Sequence, residues 1–300
     1  MLFPYLNGED LNSRPDGSAA RWVIDFFNRT EAEAATYSLP FARVFEEVKP
    51  ERATKSPAIQ AAPWWLHLRS RPEMRRAIEG MSEVLVIAIV SKSVMPMRVA
   101  TGQVFSNKLD IFATASYSDQ AVLSSSLHQM WAIRFGATMR ADPAYTPSTV
   151  FEPFPRPQES VSLEQVGRAL DDERREIMTK RELGLTRLYN LVNDPNTSDA
   201  DDPDVARIRA LHVRLDEAVA TAYGWSDVVL KHGFHSYRQV TRWTVGPGAR
   251  DELLDRLLEE NMRRASRVDH GSMPRLTLLN AAGSTAGAGR ESQYVPRRRQ

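Results

Sequence analysis

Glu83-Val84-Leu85-Val86-Ile87-Ala88-Ile89-Val90 is apolar at both alternating sets of positions. A strand with this pattern has no wet face, so it belongs inside a sheet that is covered on both sides. Working outward, Arg71-Pro72-Glu73 opens a short helix, with Pro72 at a first-turn position. Val104-Phe105 and Leu109-Asp110-Ile111-Phe112-Ala113 predict another strand or a hairpin. Arg21-Trp22-Val23-Ile24-Asp25-Phe26-Phe27 predicts a strand with Trp22, Ile24 and Phe26 on one face. Ser118 to Phe135 predicts one long helix whose stripe is Val122, Leu123, Leu127, Met130 and Trp131, stopped by Gly136.

Tyr145-Thr146-Pro147 and Phe151-Glu152-Pro153-Phe154-Pro155-Arg156-Pro157 form a proline-dense connector. Proline removes an N–H and restricts its predecessor, so extended chain and a domain boundary are expected there. Beyond it the period becomes helical: Leu163, Val166, Leu170 and Ile177 follow a Ser162/Gln165 capping pair. Asp194 to Asp204 is an acidic loop. Asp202-Pro203 then starts a helix carrying Val205, Ile208, Leu211, Leu215, Val219 and Ala222, ended by Gly224. Tyr237 to Val245 predicts a strand, and Pro247 introduces a last helix through Leu253, Leu254, Leu257, Leu258 and Met262. From Asp269 onward Gly, Ser, Ala and Arg dominate, a composition too poor in apolar residues to order itself. The expected class is α+β: a mixed-sheet domain at 1–157, a mainly α-helical domain at 158–268, and a disordered basic tail at 269–300.

A 300-residue chain with 42% hydrophobic and 26% charged residues has the composition of a globular protein. The absence of cysteine excludes disulfides, thiolate nucleophiles and sulfur-ligated zinc, and fits a reducing cytoplasm, the expected location. Met1 to Leu6 lacks the basic flank of a signal peptide, and the longest apolar run, Val84 to Val90, falls well short of the roughly 18 residues of a membrane helix. Net charge is +1, so any nucleic-acid surface must be a local concentration of charge. Residues 158–261 hold 14 Lys+Arg against 20 Asp+Glu, whereas 262–300 hold 8 against 2. The helical body is therefore a poor DNA surface, and the first half and the tail are the candidates.

Several chemistries are missing. There is no Asn-Pro-Pro-aromatic motif, Walker loop or Gly-x-Ser-x-Gly elbow. Gly246-Pro247-Gly248 and Gly287-Ala288-Gly289 are not expected to follow a strand and open a nucleotide-binding helix. Of six histidines only His232 and His235 are close, which does not make a metal site. Asp25 with Glu47-Val48-Lys49 matches the loose pattern of magnesium nucleases, provided Glu47 and Lys49 share one face of a strand. The alternative for Phe45 to Arg52 is a solvated charge run.

Basic residues with interleaved aromatics give the better lead. Lys49, Arg52 and Lys55 precede Pro63-Trp64-Trp65-Leu66, and Arg69, Arg71, Arg75 and Arg76 follow; Lys92 and Arg98 come after the central strand. Arginine can read guanine bidentately while lysine holds phosphate. The competing reading makes Trp64 and Trp65 core residues and the arginines a solvated helix face.

Longer motifs then occur in order: Pro4-Tyr5-Leu6-Asn7-Gly8-Glu9-Asp10-Leu11-Asn12, Trp22-Val23-Ile24-Asp25-Phe26, Val48-Lys49-Pro50-Glu51-Arg52, Trp64-Trp65 and Val90-Ser91-Lys92. Ser124 to Ala132, Tyr145-Thr146-Pro147-Ser148, Phe151 to Pro155, Gly184 to Asn190, Leu211 to Val219 and Ala222 to Asp227 follow them. Together these resemble the C-terminal half of large adenine-specific restriction-modification methyltransferases of type IIG and related phage-defence kinds. The resemblance implies a target-recognition domain, followed by a helical region, that reads double-stranded DNA. It also implies that the catalytic domain, with its S-adenosylmethionine pocket and Asn-Pro-Pro loop, lies upstream or in a separate methyltransferase subunit. On this reading the chain has no catalytic, cofactor or metal residues of its own, and Lys49, Arg52, Arg69, Arg71, Lys92, Arg98 and Lys108 are the expected DNA contacts. The alternatives are the Asp25/Glu47/Lys49 nuclease and a non-functional remnant.

Overall fold

The computed structural model describes residues 1–139, 142–238 and 240–266, together with the backbone of Leu278–Leu279. The chain starts with β1 (Leu2–Leu6), α1 (Gly8–Ser13) and β2 (Arg21–Ile24). A helical excursion follows: α2 (Glu31–Ala35), α3 (Ser38–Ala53) and α4 (Pro57–Gln60). Next come α5 (Pro72–Ala77), β3 (Glu83–Ala88), β4 (Met97–Ala100), β5 (Val104–Phe105) and β6 (Leu109–Phe112). They lead into α6 (Tyr117–Ser124), α7 (Ser126–Phe135), β7 (Ala137–Met139) and β8 (Asp142–Ala144). A π-helical turn at Pro147–Phe151 precedes α8 (Val161–Lys180), α9 (Leu185–Val192) and α10 (Pro203–Ala222). The hairpin β9 (Gly233–Tyr237) and β10 (Val240–Thr244) precedes α11 (Pro247–Ala265), and β11 (Leu278–Leu279) pairs antiparallel with β6.

β3 lies between β6 and β4, antiparallel to both, as its two-sided apolar pattern requires. Its residues divide by alternation. Leu85 and Ile87 enter a cluster with Phe112, Leu123, Leu127, Trp131, Leu163, Leu170, Leu215 and Leu253. Val84, Val86 and Ala88 enter a second cluster with Leu6, Leu109, Ile111, Ile177, Leu188 and Ile208. The sheet is thus covered on one face by α6, α7, α10 and α11 and on the other by α1, α9 and the start of α10, and both clusters draw residues from either side of residue 157. β1 pairs antiparallel with β2 and parallel with β5 in a separate small sheet. The excursion between β2 and α5 has its own small centre, Phe26, Ala34 and Val44, lined by Phe41, Trp64 and Trp65.

The α+β class, with small mixed sheets followed by a helical region, is as expected. Several local expectations need correction. The single helix over 118–135 is two helices, because Ser125 is extended (ψ 156°) and its Oγ accepts the His128 N–H as the cap of α7. The freed N–H of Ser126 is taken by the buried Asp216 carboxylate at 2.7 Å, which fixes the break against α10. The cap of α8 is Ser160 rather than Ser162, its Oγ accepting Leu163 N–H. The proline connector is not extended throughout: Pro147 sits in the first turn of the π-helical segment, where no intrahelical N–H is needed. The strand expected at 237–245 is the second arm of a hairpin. Most of the segment expected as a disordered tail lies outside the described residues; within it Leu278 and Leu279 pair with Phe112 and Ile111.

Candidate nucleic-acid interface

The seven expected DNA-contact residues fall into three groups. Arg71 and Arg98 are buried and face inward, which corrects their expected role in this structure. Arg71 has a left-handed backbone (φ 52°), and its Nη2 donates to the Ser106 carbonyl at 2.9 Å. Arg98 lies 3.9 Å from the centre of the Tyr117 ring and donates to Gln120 Oε1 (2.9 and 3.2 Å) and the Ala115 carbonyl (3.0 Å). Gln120 in turn donates to Asp171, so Arg98 ties β4 to α6 and α8.

Arg52 and Lys49 hold the helical excursion together. Arg52 is half-buried and donates to the Leu66 carbonyl at 2.6 Å, fastening α3 to the Trp64–Leu66 turn. Lys49 is exposed, but its ammonium lies over Phe45 (4.4 Å) and Trp64 (4.9 Å). Trp64 and Trp65 are half-buried against Phe26, Ala34 and Val44, so they serve the packing of that lobe. Arg69, Lys92 and Lys108 form the third group: exposed, with no side-chain ion-pair partner among the described residues.

The nuclease arrangement is overturned. Residues 38–53 are a helix, so Glu47 and Lys49, two apart, point to different sides, and Glu47 pairs with Arg43 at 2.7 Å. Asp25 is buried and committed to Arg75 (2.5 Å) and the Phe27 N–H (2.7 Å). His232 bonds the Asp216 carboxylate at 2.8 Å while His235 turns to the Lys231 carbonyl, so the two rings share no ligand. Among the described residues no three His, Asp or Glu side chains gather to hold a metal.

Gly246-Pro247-Gly248 does join a strand, β10, to a helix, α11, contrary to expectation. It does not make a nucleotide cradle. The Gly246 N–H is consumed by the Leu230 carbonyl at 2.7 Å, a Cβ there would meet Lys231 backbone at 3.1 Å, and Pro247 has no N–H to offer a phosphate. Gly287-Ala288-Gly289 lies outside the described residues.

The feature that sequence reading missed is a ribbon. α7 ends at Gly136, where a Cβ would lie 2.4 Å from the Ala132 carbonyl, so only glycine turns the chain into β7. Ala137, Thr138 and Met139 are all exposed, Met139 at 58%. β8 returns antiparallel, and its base is sewn to the end of the central strand by Ser91 N–H to Pro143 O (3.3 Å) and Tyr145 N–H to Ile89 O (2.7 Å). Two exposed cations with no side-chain ion-pair partner among the described residues sit at that base: Arg134, just before β7, and Lys92, just after the Ser91–Pro143 bond. The hairpin β9–β10 abuts the same base through Arg238 and Arg242. The only signal for the ribbon was Gly136 as a helix stop followed by two short segments around Asp142-Pro143, too short for a period-two pattern.

Residues 12–158 match the family model described as the MmeI target recognition domain. A solved structure of the type IIL restriction-modification enzyme MmeI in complex with DNA has a similar fold: TM-score 0.55, 18% identity, over 88% of this chain and 31% of that one. The chain thus spans less than a third of the length of that enzyme. A comparison with curated proteins finds no match. The segment that carries the ribbon and its flanking cations lies wholly inside the matched residues. Over residues 12–158, just under half of its length, the chain is similar to the target recognition domain of MmeI.

Proposed function

We propose that the chain reads duplex DNA for an adenine-specific restriction-modification methyltransferase, and that methyl transfer is performed by a separate domain or subunit. The observation that carries this reading is the β7–β8 ribbon inside the matched recognition domain, its β7 arm exposed and its β8 arm packed inward, with Lys92 and Arg134 at its base and without ion-pair partners among the described residues. A major groove admits a two-stranded ribbon, and free cations at the ribbon's base suit the phosphates that flank the groove. Arg69, Lys92 and Lys108 are the proposed phosphate contacts, with Lys49 at the edge of its aromatic lobe; Arg52, with Nη1 buried and Nη2 given to the Leu66 carbonyl, positions that lobe. The functional division is a recognition part at 1–157 and a helical part at 158–268 that braces it.

S-adenosylmethionine belongs to the methyltransferase part. The strand–glycine–helix junction at 244–248 is closed by backbone contacts and does not suit the cofactor. No helix among the described residues is long and apolar enough to cross a membrane. The lack of cysteine favours the reducing cytoplasm, where such enzymes meet DNA.

The test is selection from a randomised duplex pool with the full chain at low salt, followed by titration of the selected duplex. Enrichment of a short motif, with affinity falling steeply as salt rises, is expected. Failure to bind any duplex at low salt would overturn the proposal. Mixing with a separately supplied methyltransferase domain and measuring methyl incorporation tests the partner.

A further inference from the structure

The hairpin β9–β10 arises from the helical part of the chain, yet two of its side chains, Arg238 and Arg242, end on the recognition part. At its tip Arg238 donates through Nη1 to the Ile133 carbonyl (2.6 Å) and through Nη2 to the Arg134 carbonyl (3.3 Å). These are last-turn carbonyls of α7, which have no N–H of their own helix to accept, and they lie three and four residues before β7. On the second arm the buried Arg242 donates through Nη2 to the Lys92 carbonyl at 3.2 Å. One hairpin thus holds the two segments that lead into the ribbon: the last turn of α7, which runs into β7, through Arg238, and the Lys92 loop, itself bonded to β8 through Ser91 and Pro143, through Arg242.

The hairpin is itself fixed. Trp243 N–H donates to Asn193 Oδ1 at 3.0 Å, and the Phe234 and Trp243 rings, 5.2 Å apart, lie against the buried guanidinium of Arg209 on α10. Arg238 also has a left-handed backbone (φ 49°), a conformation that glycine or asparagine adopts more readily. An arginine in that conformation makes sense through what its side chain reaches.

We propose that Arg238 and Arg242 are specificity-determining positioning residues: they transmit the rigidity of the helical part to the β7–β8 ribbon and so fix how the ribbon meets base edges. Neither needs to touch DNA. The inference rests on the DNA-reading function proposed above, and it has a readout that does not. A reader held loosely still meets phosphate but loses register on the bases, so the affected quantity is preference among sequences rather than affinity for DNA as such.

The experiment compares the full chain with Arg238→Asn, which keeps a residue suited to the left-handed turn, and with Arg242→Met and Arg242→Lys. Native-state amide exchange is read in the free protein, and the affinities of the pool-selected duplex and of a scrambled duplex are then measured. Exchange at the amides of 137–139, Asp142 and Ala144 is expected to rise about tenfold in Arg238→Asn and Arg242→Met, with the buried amides of α8 and α10 unchanged. The ratio of selected to scrambled affinity is expected to fall about tenfold, the size of effect that one well-placed base pairing carries, while scrambled-duplex affinity holds. Arg242→Lys, which can still reach the Lys92 carbonyl, should recover part of both. Unchanged ribbon exchange, or a faster-exchanging ribbon with an unchanged affinity ratio, overturns the proposal. A wild-type chain that binds no duplex overturns the DNA reading, while the exchange result then decides the mechanical coupling alone.

Discussion

Asp110 lies beside Arg71 in the interior, yet neither of its carboxylate oxygens receives a hydrogen bond. Asp110 is in the middle of β6 and fully buried, and Arg71 directs its Nη2 to the Ser106 carbonyl instead. Burial pushes the Asp110 carboxyl up to about 7, with Arg71 pulling in the opposite direction.

A pH dependence of unusual sign follows. Between the ordinary value of 3.8 and about 7, folded Asp110 keeps its proton while the unfolded chain has lost it. The folded state then binds more protons, so stability from this group is highest below its unfolded value and declines as pH rises to about 7, flattening above. A shift of that size corresponds to about 4 kcal/mol between the two extremes. Asp110→Asn should remove this slope, so urea melts of the variant and wild type should diverge most at about pH 8, with the variant the more stable. A variant less stable than wild type at the higher pH would show that the charged form is stabilised in the fold.

Gly167 lies in α8 where it crosses α6. A Cβ at this position would be 2.0 Å from the Tyr117 carbonyl oxygen and 2.8 Å from its carbon, both backbone atoms with no rotamer to yield. In an open helix, glycine to alanine stabilises by about 1 kcal/mol. Here Gly167→Ala should instead destabilise by about 2 kcal/mol or more, through forced separation of the two helices. The sign of the change in thermal midpoint decides the matter.

Arg209 anchors the acidic loop from inside. Its guanidinium donates to the carbonyls of Leu191, Val192, Asp194 and Thr197 and to the Asp199 carboxylate at 2.6 Å. Arg209→Met would leave several of these carbonyls buried and unpaired, destabilising the fold by about 3 kcal/mol or more. Arg209→Lys should recover little, because one ammonium cannot span the fork. Denaturant melts of the three proteins test this, and a lysine variant as stable as wild type would contradict it.

What could be read from sequence tracks how local the deciding physics is. β3 announced itself because both faces of seven consecutive residues, Val84 to Val90, are apolar, and α10 because its stripe recurs over six positions. Ser125 was unreadable as a helix break, because what stabilises it is Asp216, far along the chain on α10. Arg71 and Arg98 read as surface cations for the same reason. A guanidinium's partner can be a distant carbonyl or glutamine, and charge alone does not reveal which arginines have one. The ribbon went unseen because its strands have three residues each, held by bonds to Ile89 and Ser91 rather than by their own pattern.

That distinction between arginines and lysines of the same charge yields the sharpest separation of roles. Lys92, Lys108 and Arg69 are exposed without ion-pair partners among the described residues, whereas Arg98 is buried between Tyr117 and Gln120. Replacing Lys92 or Lys108 by alanine should leave the melting curve in place and lower affinity for every duplex alike. Each replacement should reduce the slope of log affinity against log salt by about 1, because one phosphate fewer is neutralised on binding. Arg98→Ala should do the reverse, lowering stability by about 3 kcal/mol by orphaning Gln120 and removing the cation from the Tyr117 ring, with the salt slope unchanged in the fraction that remains folded. Titrations of one duplex across a salt series, paired with melts of the same preparations, separate the two. A normal melt with a reduced salt slope in Arg98→Ala would mean that Arg98 leaves its buried site to meet DNA, and would return it to the interface.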